Sequence, residues 1–459
     1  MALLLIQNRG ECPEEAFTLM GASLSRSDDG LLGQFGSGAK LAICTLLRMG
    51  KRVIIYSGKT RMEFKCRTIE ISDDIESQQK ERVFVQYGGT STRKEDLGWV
   101  VDMGAIDWKC NLDMAIREFA ANAIDHTVKR GDDLKEARAN RDLCVEIVPD
   151  GLRKAQKGFT RVYIESCEKC EEYVDALPRK FLQFSNQPLN QPIMPKINPL
   201  NKKVQVYLCG AFVCELKDSA DSMFDYNFRK DQIAIDESRN LGEYAARAAI
   251  AKLYKDAPAV TLSKVFQALL DGVACLETGL DTYYIKPDWS GARDSQKTRW
   301  QDAWASCHAD DAVICSGQSN VVEKYAKQKG YVLGSVSNSS WVECASQYGI
   351  KTITDVLDVD EREGRVTQPP TLEAEAAFVK ASQFMADRDL LDTPCTVCGF
   401  TEEKSETEAY YRESVVYIRT DVFDNLESLC IEQLAKHNVR TNSARMTSDV
   451  LLLACVRSM

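Results

Sequence analysis

The chain has 459 residues and a formal net charge of −10, which leaves room for two to four domains and argues against a broad nucleic-acid-coating surface. Apolar residues make up 44% and charged ones 27%, the proportions of an ordinary globular protein that buries a core without staples. The 17 cysteines are odd in number and scattered, no secretory leader precedes them and no apolar stretch approaches membrane-span length, so the expectation is a reducing, cytoplasmic setting (host cytoplasm for a viral chain) with mostly buried free thiols and no membrane.

Taken in chain order, Leu3 to Ile6 predicts an apolar strand, Pro13 to Met20 a short helical stretch, and Ser23 to Gly30 a polar loop. Gly33-Gln34-Phe35-Gly36-Ser37-Gly38-Ala39-Lys40 then runs into an apolar segment that ends at Met49-Gly50, a helix stop. Strands are expected over Arg52 to Ser57, Met62 to Ile71 and Arg82 to Tyr87, followed by a Gly88-Gly89 turn. Asp113 to Val128 carries an amphipathic stripe of Met114, Ile116, Phe119, Ala123 and Ile124 and predicts a helix. Leu143 to Val148 and Thr160 to Ile164 read as strands, Val204 to Leu216 as a strand pair, and Leu241 to Tyr254 as a helix.

Beyond that point Val260 to Leu276 reads as helical, and the stretches Ala312 to Cys315, Val321 to Lys329, Tyr331 to Val336 and Ser340 to Tyr348 alternate strand and helix, the rhythm of a small α/β unit. Asp358 to Pro370 is charged and ends in Pro369-Pro370, a linker pattern; Leu372 to Asp387 is helical, and the tail from Val415 holds a strand and two helical runs. Two C-x-x-C pairs occur. Cys167/Cys170 and Cys395/Cys398 lie too far apart in sequence for an obvious joint zinc site, and each reads either as half a metal site or as packed thiols; Thr393 to Gly399 looks like a turn.

Three segments carry chemistry. In Gly33-x-x-Gly36-x-Gly38 the glycines let backbone N–H groups approach phosphate oxygens, the helix start adds a positive dipole end, and Lys40 is within reach of a terminal phosphate. The loop lacks the G-K-[ST] ending of a Walker A motif and is not preceded by the buried strand of a dinucleotide fingerprint. In the second segment, Glu118 and Asn122 share one helix face, where a carboxylate serves as general base and an amide oxygen as a magnesium ligand; the plain alternative is a solvated Glu beside a capping Asn. The third segment is a strand ending in Asn8, with Gly10 two residues on: a side-chain amide that reads an adenine edge, or an ordinary turn.

Together these segments resemble the GHKL or Bergerat-fold ATPases, which include gyrase, MutL, MORC proteins and histidine kinases. The glycine loop is similar to the MORC-type motif, and Glu118-x-x-x-Asn122-Ala123-x-Asp125 is similar to the family's N-box. The resemblance covers roughly the first third of the chain and implies an ATP site with Mg²⁺. In it Glu118 acts as base and Asn122 holds Mg²⁺, while Asn8, Gly10, Gly33, Gly36, Ser37, Gly38, Lys40 and Asp125 contact nucleotide. Two departures stand out: Asn8 replaces the family's adenine-reading Asp, and the N-box follows the other two motifs, as in a circular permutation.

That order resembles a group of phage and bacterial ATP-binding proteins with a Tyr-Asn…Glu-x-Arg stretch, here Tyr226-Asn227 and Glu237-Ser238-Arg239, with Arg239 a γ-phosphate sensor or a salt-bridge partner. Glu432-Gln433-Leu434-Ala435-Lys436-His437 followed by Ser443-Ala444-Arg445 is similar to a metallopeptidase helix that has lost its histidine pair, so no zinc and no peptidase activity are expected there.

The implied fold class is α+β: a Bergerat-type two-layer sandwich, with a mixed sheet and helices on one face, plus a smaller α/β unit and a mainly helical C-terminal α+β region. The expected domains are 1–255, 256–365 and 366–459. The expected function is a Mg-dependent ATPase working as a conformational switch, the alternative a nucleotide-sensing interaction protein with negligible hydrolysis. A homodimer is the simplest symmetric partner arrangement, with any protein or DNA partner left open.

Overall fold

The computed structural model describes residues 2–20, 31–32, 37–72, 77–88, 93–102, 111–216, 219–235, 241–308, 312–318, 320–357, 365–387, 395–402, 408–412, 414–422 and 424–441. The chain is α+β and divides into two units, Met1–Ala257 with Ala274–Ile285, and Pro258–Val273 with Lys286–Met459.

The first unit is built on seven strands: β1 (Ala2–Arg9), β2 (Val53–Ser57), β3 (Thr60–Ser72), β4 (Ser77–Gly88), β5 (Lys94–Val100), β6 (Leu143–Pro149) and β7 (Phe159–Glu165). They lie in the order β5-β4-β3-β2-β7-β1-β6. Every pairing in this sheet is antiparallel, where a mixed sheet was expected. Leu3 to Asn8 are all buried because β1 lies between β6 and β7 and is covered on both faces, which is why it shows no polar alternation.

Leu4 and Ile6 point to one face with Val53, Ile55, Met62 and Phe64, against the helices α2 (Gly38–Arg48) and α3 (Leu112–Lys129). Leu3 and Leu5 point to the other with Ile54, Val148 and Tyr163. The earlier helix α1 (Glu15–Thr18) is a single turn, shorter than the Pro13 to Met20 stretch suggested. Strand β5, whose sequence is Lys-Glu-Asp-Leu-Gly-Trp-Val, has no apolar alternation and was not anticipated.

Asn111 starts α3 by accepting a hydrogen bond from the Met114 N–H at 3.2 Å, and Gly131, at φ +75°, follows its end. After α3 come α4 (Leu134–Ala139), α5 (Glu168–Asp175) and α6 (Leu177–Lys180). A second sheet holds β8 (Ile193–Pro195), β9 (Val204–Leu208), β10 (Ala211–Leu216) and β11 (Phe224–Phe228) in the order β10-β9-β11-β8, with β9 and β11 parallel. Helix α7 (Glu243–Leu253) follows.

The second unit begins with α8 (Ala259–Leu270). This helix stops short of the expected Leu276 because Gly272 takes φ +66°, a left-handed stop. With α9 (Asp294–Cys307) it encloses an aromatic core in which Trp300 stacks on Tyr348 at 4.2 Å between centroids and Phe266 meets Trp300, Trp304 and Trp341 edge-on. The anticipated alternation follows: β12 (Val313–Cys315), α10 (Asn320–Gln328), β13 (Leu333–Ser335) and α11 (Ser339–Gln347), with β12 and β13 parallel, and then the single turn α12 (Ile353–Val356).

Three expectations for the remainder are corrected. The linker expected over 358–370 contains a strand, β14 (Arg365–Gln368), paired with β15 (Thr396–Glu402). The region expected to be mainly helical carries a four-stranded sheet, β14-β15-β17-β16, with β16 (Ala409–Arg412) and β17 (Val415–Arg419), against which α13 (Leu372–Ala386) and α14 (Leu426–Thr441) pack. Finally, Thr396 to Gly399, read as part of a turn, belongs to β15. Charge misled the first of these: the Arg365 guanidinium stacks on the Tyr410 ring at 4.1 Å, so a charged residue sits inside a sheet.

Candidate functional site

Helix α3 is the backbone of the site. Glu118 and Asp125 are buried in spite of their charge, at 9% and 3% exposure, and Asn122 between them is exposed. All three lie on one side of the helix. Each of the other two chemistry-bearing segments meets this helix, although they lie far away in sequence.

Gly38 is the first residue of α2, and a methyl group built on it would fall 2.0 Å from Glu118 Oε2. The carboxylate therefore lies against the start of α2, where the first N–H groups of a helix have no carbonyl partner and the dipole is positive. No acidic residue of α2 itself occupies its first turn, so Glu118 is the acid that faces it. One helical stretch further on, Asp125 Oδ1 accepts a buried hydrogen bond from the Leu32 N–H at 2.7 Å. That bond anchors the chain immediately before the glycine loop. Gly33 and Gly36 lie outside the described residues; Ser37 and Gly38 are described, Ser37 as the N-cap without a side-chain capping bond.

The strand-end segment meets α3 through a residue that the motif reading passed over. His126 Nδ1 lies 3.1 Å from the Arg9 carbonyl, and a methyl group at Gly10 would fall 2.3 Å from His126 Cε1. Gly10 has φ +99°, so both its backbone and its neighbour exclude a side chain. Burial lowers the His126 pKa, which its contact with Arg9 offsets only in part. Thr160 completes the corner: its hydroxyl donates to the Gly10 carbonyl at 2.8 Å and accepts from the Cys12 N–H at 2.9 Å. Asn8 is buried opposite Thr160, and its amide nitrogen donates to the Arg9 carbonyl at 3.1 Å. His126 was legible only as one of three histidines; its position next to Asp125 on the helix was the available signal.

Lys40 is buried at 2% exposure, and burial lowers its pKa to about 8. A cavity of about 900 Å³ opens on the Asp125 side of α3, lined by Leu32, Asp125, Val128, Lys135, Arg138 and Arg229 among others. Glu118, Asn122 and Asn8 are not part of its lining.

Other candidate residues have structural surroundings. Tyr226 donates to the buried Glu277 carboxylate at 2.8 Å, and Asn227 bridges the Gly210 N–H and the Leu189 carbonyl at 2.8 and 2.9 Å. Arg239 lies outside the described residues. Glu432 to Ala435 lie on α14, with Gln433, Leu434 and Ala435 buried, and Ser443 to Arg445 are outside the described residues. Among the described residues no group of three or more His, Cys, Asp or Glu side chains is placed to hold a metal ion, and no helix is long and apolar enough to cross a membrane. Compared with protein-family models, curated proteins and solved structures, the chain matches none.

Proposed function

We propose that the first unit is a permuted Bergerat-type sandwich that binds ATP with Mg²⁺ and hydrolyses it, working as a nucleotide-driven switch. The observation that carries this reading is the meeting of Glu118 with Gly38 at the start of α2. A helix N-terminus is the place where a phosphate gains most from the dipole, and Glu118 lies beside it. Asp125, tied to the Leu32 N–H, gives the same helix a second hold on the glycine segment.

The residues fit the group in a further respect: the missing side chain at Gly38 lets the Glu118 carboxylate lie directly against the start of α2. In this reading Glu118 orients and deprotonates the attacking water, and Asn122, exposed one turn along, supplies the oxygen ligand for Mg²⁺. The metal supplies charge neutralisation of the phosphate oxygens when bound. Ser37, Gly38 and the glycines before them hold phosphate, Lys40 lies in the same first turn of α2, and Asn8 and Gly10 face the base. ATP-dependent dimerisation and a phage-encoded origin belong to this proposal as consequences of the resemblance.

Glu118→Ala tests it. Phosphate release is expected to fall by about 10²-fold or more while Mg·ATP still raises the melting temperature. A variant that hydrolyses ATP like the wild type overturns the assignment of the base. The uncharged Asn8, whose amide nitrogen is held by the Arg9 carbonyl, favours one second reading, a nucleotide sensor with negligible turnover. Equal thermal stabilisation by ATP and a slowly hydrolysed analogue, with no phosphate released by the wild type, selects that reading.

A further inference from the structure

Cys167 and Cys170 sit where β7 hands over to α5, and neither is among the residues assigned to nucleotide. Cys167 is the extended N-cap residue of α5 and is half-buried; Cys170, one turn in, is fully buried. Their sulfurs are 3.8 Å apart. The Cys170 N–H donates to the Cys167 carbonyl at 2.8 Å, closing a turn that keeps the two Cα atoms within about 7 Å, close to the span a disulfide bridges. Closing the bond brings the two sulfurs from 3.8 Å to about 2 Å.

The two thiols differ in their surroundings. Burial works against ionisation of Cys167, but the Cys170 N–H and thiol and the Lys51 ammonium outweigh it, and the pKa is lowered. Burial pushes Cys170 up to about 11. Among the described cysteines whose thiols are displaced, the others, such as Cys44, Cys144 and Cys430, are pushed upward by burial. A pair of merely packed thiols has no need of a cation beside one member or of a difference in exposure between the two.

We propose that Cys167 and Cys170 form a redox-active dithiol that exchanges with low-molecular-weight disulfides, Cys167 attacking and Cys170 resolving. The Cys167 thiolate attacks one sulfur of the external disulfide; that S–S bond breaks, the first thiolate leaves and takes up a proton, and a mixed disulfide forms on Cys167. Cys170 then loses its proton and attacks the Cys167 sulfur, expelling the second thiolate, which is protonated in turn. The protein gives up two electrons and two protons and gains the Cys167–Cys170 disulfide; the external disulfide becomes two thiols.

The test uses the full chain equilibrated in mixtures of reduced and oxidised glutathione, quenched by alkylation and mapped by mass spectrometry. Lys169 places the two cysteines on separate tryptic peptides, so the disulfide reads out as a linked pair. The linked pair is expected to grow as the oxidised fraction rises, and in the reduced protein Cys167 is expected to alkylate about ten-fold faster than Cys170. Cys170→Ser is expected to hold one glutathione on Cys167, and Cys167→Ser to lose both products. The wild-type titration decides the matter even where a variant fails to fold. Two cysteines that stay fully alkylated at every ratio, or glutathione that accumulates on wild-type Cys167 without the linked pair, overturn the proposal.

Discussion

At Gly38 the constraint comes from the tip of a side chain. A Cβ there would meet Glu118 Oε2 at 2.0 Å, and the far end of a glutamate can swing away. Gly38→Ala is therefore expected to cost about 1 kcal/mol or less in urea denaturation yet to displace Glu118, lowering phosphate release by a larger factor than it lowers stability. Gly10 is a different case. Its φ of +99° is strained for any L residue, and its neighbour is the His126 ring at 2.3 Å, so Gly10→Ala is expected to cost about 1–3 kcal/mol.

Lys40 offers a pH test at the same scale. Its folded pKa, lowered by burial to about 8, lies below its ordinary value of 10.5, so the unfolded chain binds the proton more tightly. The resulting penalty is present in full below about pH 8 and is relieved as pH rises toward the unfolded value. The stability difference between the wild type and Lys40→Met is expected to move in the wild type's favour as pH rises from about 8 toward about 10. A gap that is flat with pH would show that the lysine is held as the charged form.

At the scale of elements, the segment Ala274–Ile285 is held in the first unit by the Leu276 N–H, which donates to the Asp221 carbonyl at 2.7 Å, and by one buried carboxylate. Glu277 accepts from the Ser222 hydroxyl at 2.6 Å, the Tyr226 hydroxyl at 2.8 Å and the Met223 N–H at 3.1 Å, and Tyr254 extends the network through Tyr226 at 2.9 Å. Glu277→Leu takes an acceptor from the Ser222 and Tyr226 hydroxyls, which keep the Phe224 carbonyl and the Tyr254 hydroxyl as partners, and from the Met223 N–H, and is expected to cost about 2–3 kcal/mol; Tyr226→Phe, which removes one donor, about 1 kcal/mol. Equal costs for the two changes would mean that the network relaxes around the loss. The Tyr226-Asn227 pair thus has a complete structural explanation, which its place in a family pattern could not reveal. Long elements with one clear period, such as α3 and β3, were legible from residue order. Strand β5 and the pair β14–β15 were not, because their charged and polar residues are accommodated by partners far along the chain.

For the whole molecule, the division into two units with a crossing segment makes calorimetry informative. Mg·ATP at about a hundred times its dissociation constant is expected to stabilise the unit that holds α3 by about 2.7 kcal/mol. The transition that moves should be the one that Glu277→Leu lowers. A shift of the other transition alone would place the nucleotide elsewhere.

Residue order by itself determined the helix that carries Glu118, Asn122 and Asp125, the apolar strand that ends at Asn8, and the chemistry available at each, because periodicity and residue type are local properties. Only the tertiary structure decided that Gly38, Leu32 and Gly10 each meet that helix, that His126 and Thr160 hold the strand end, and that Cys167 and Cys170 differ in exposure. Those facts depend on which distant segments share a core and which groups lose water there, and neither is written in any one stretch of sequence.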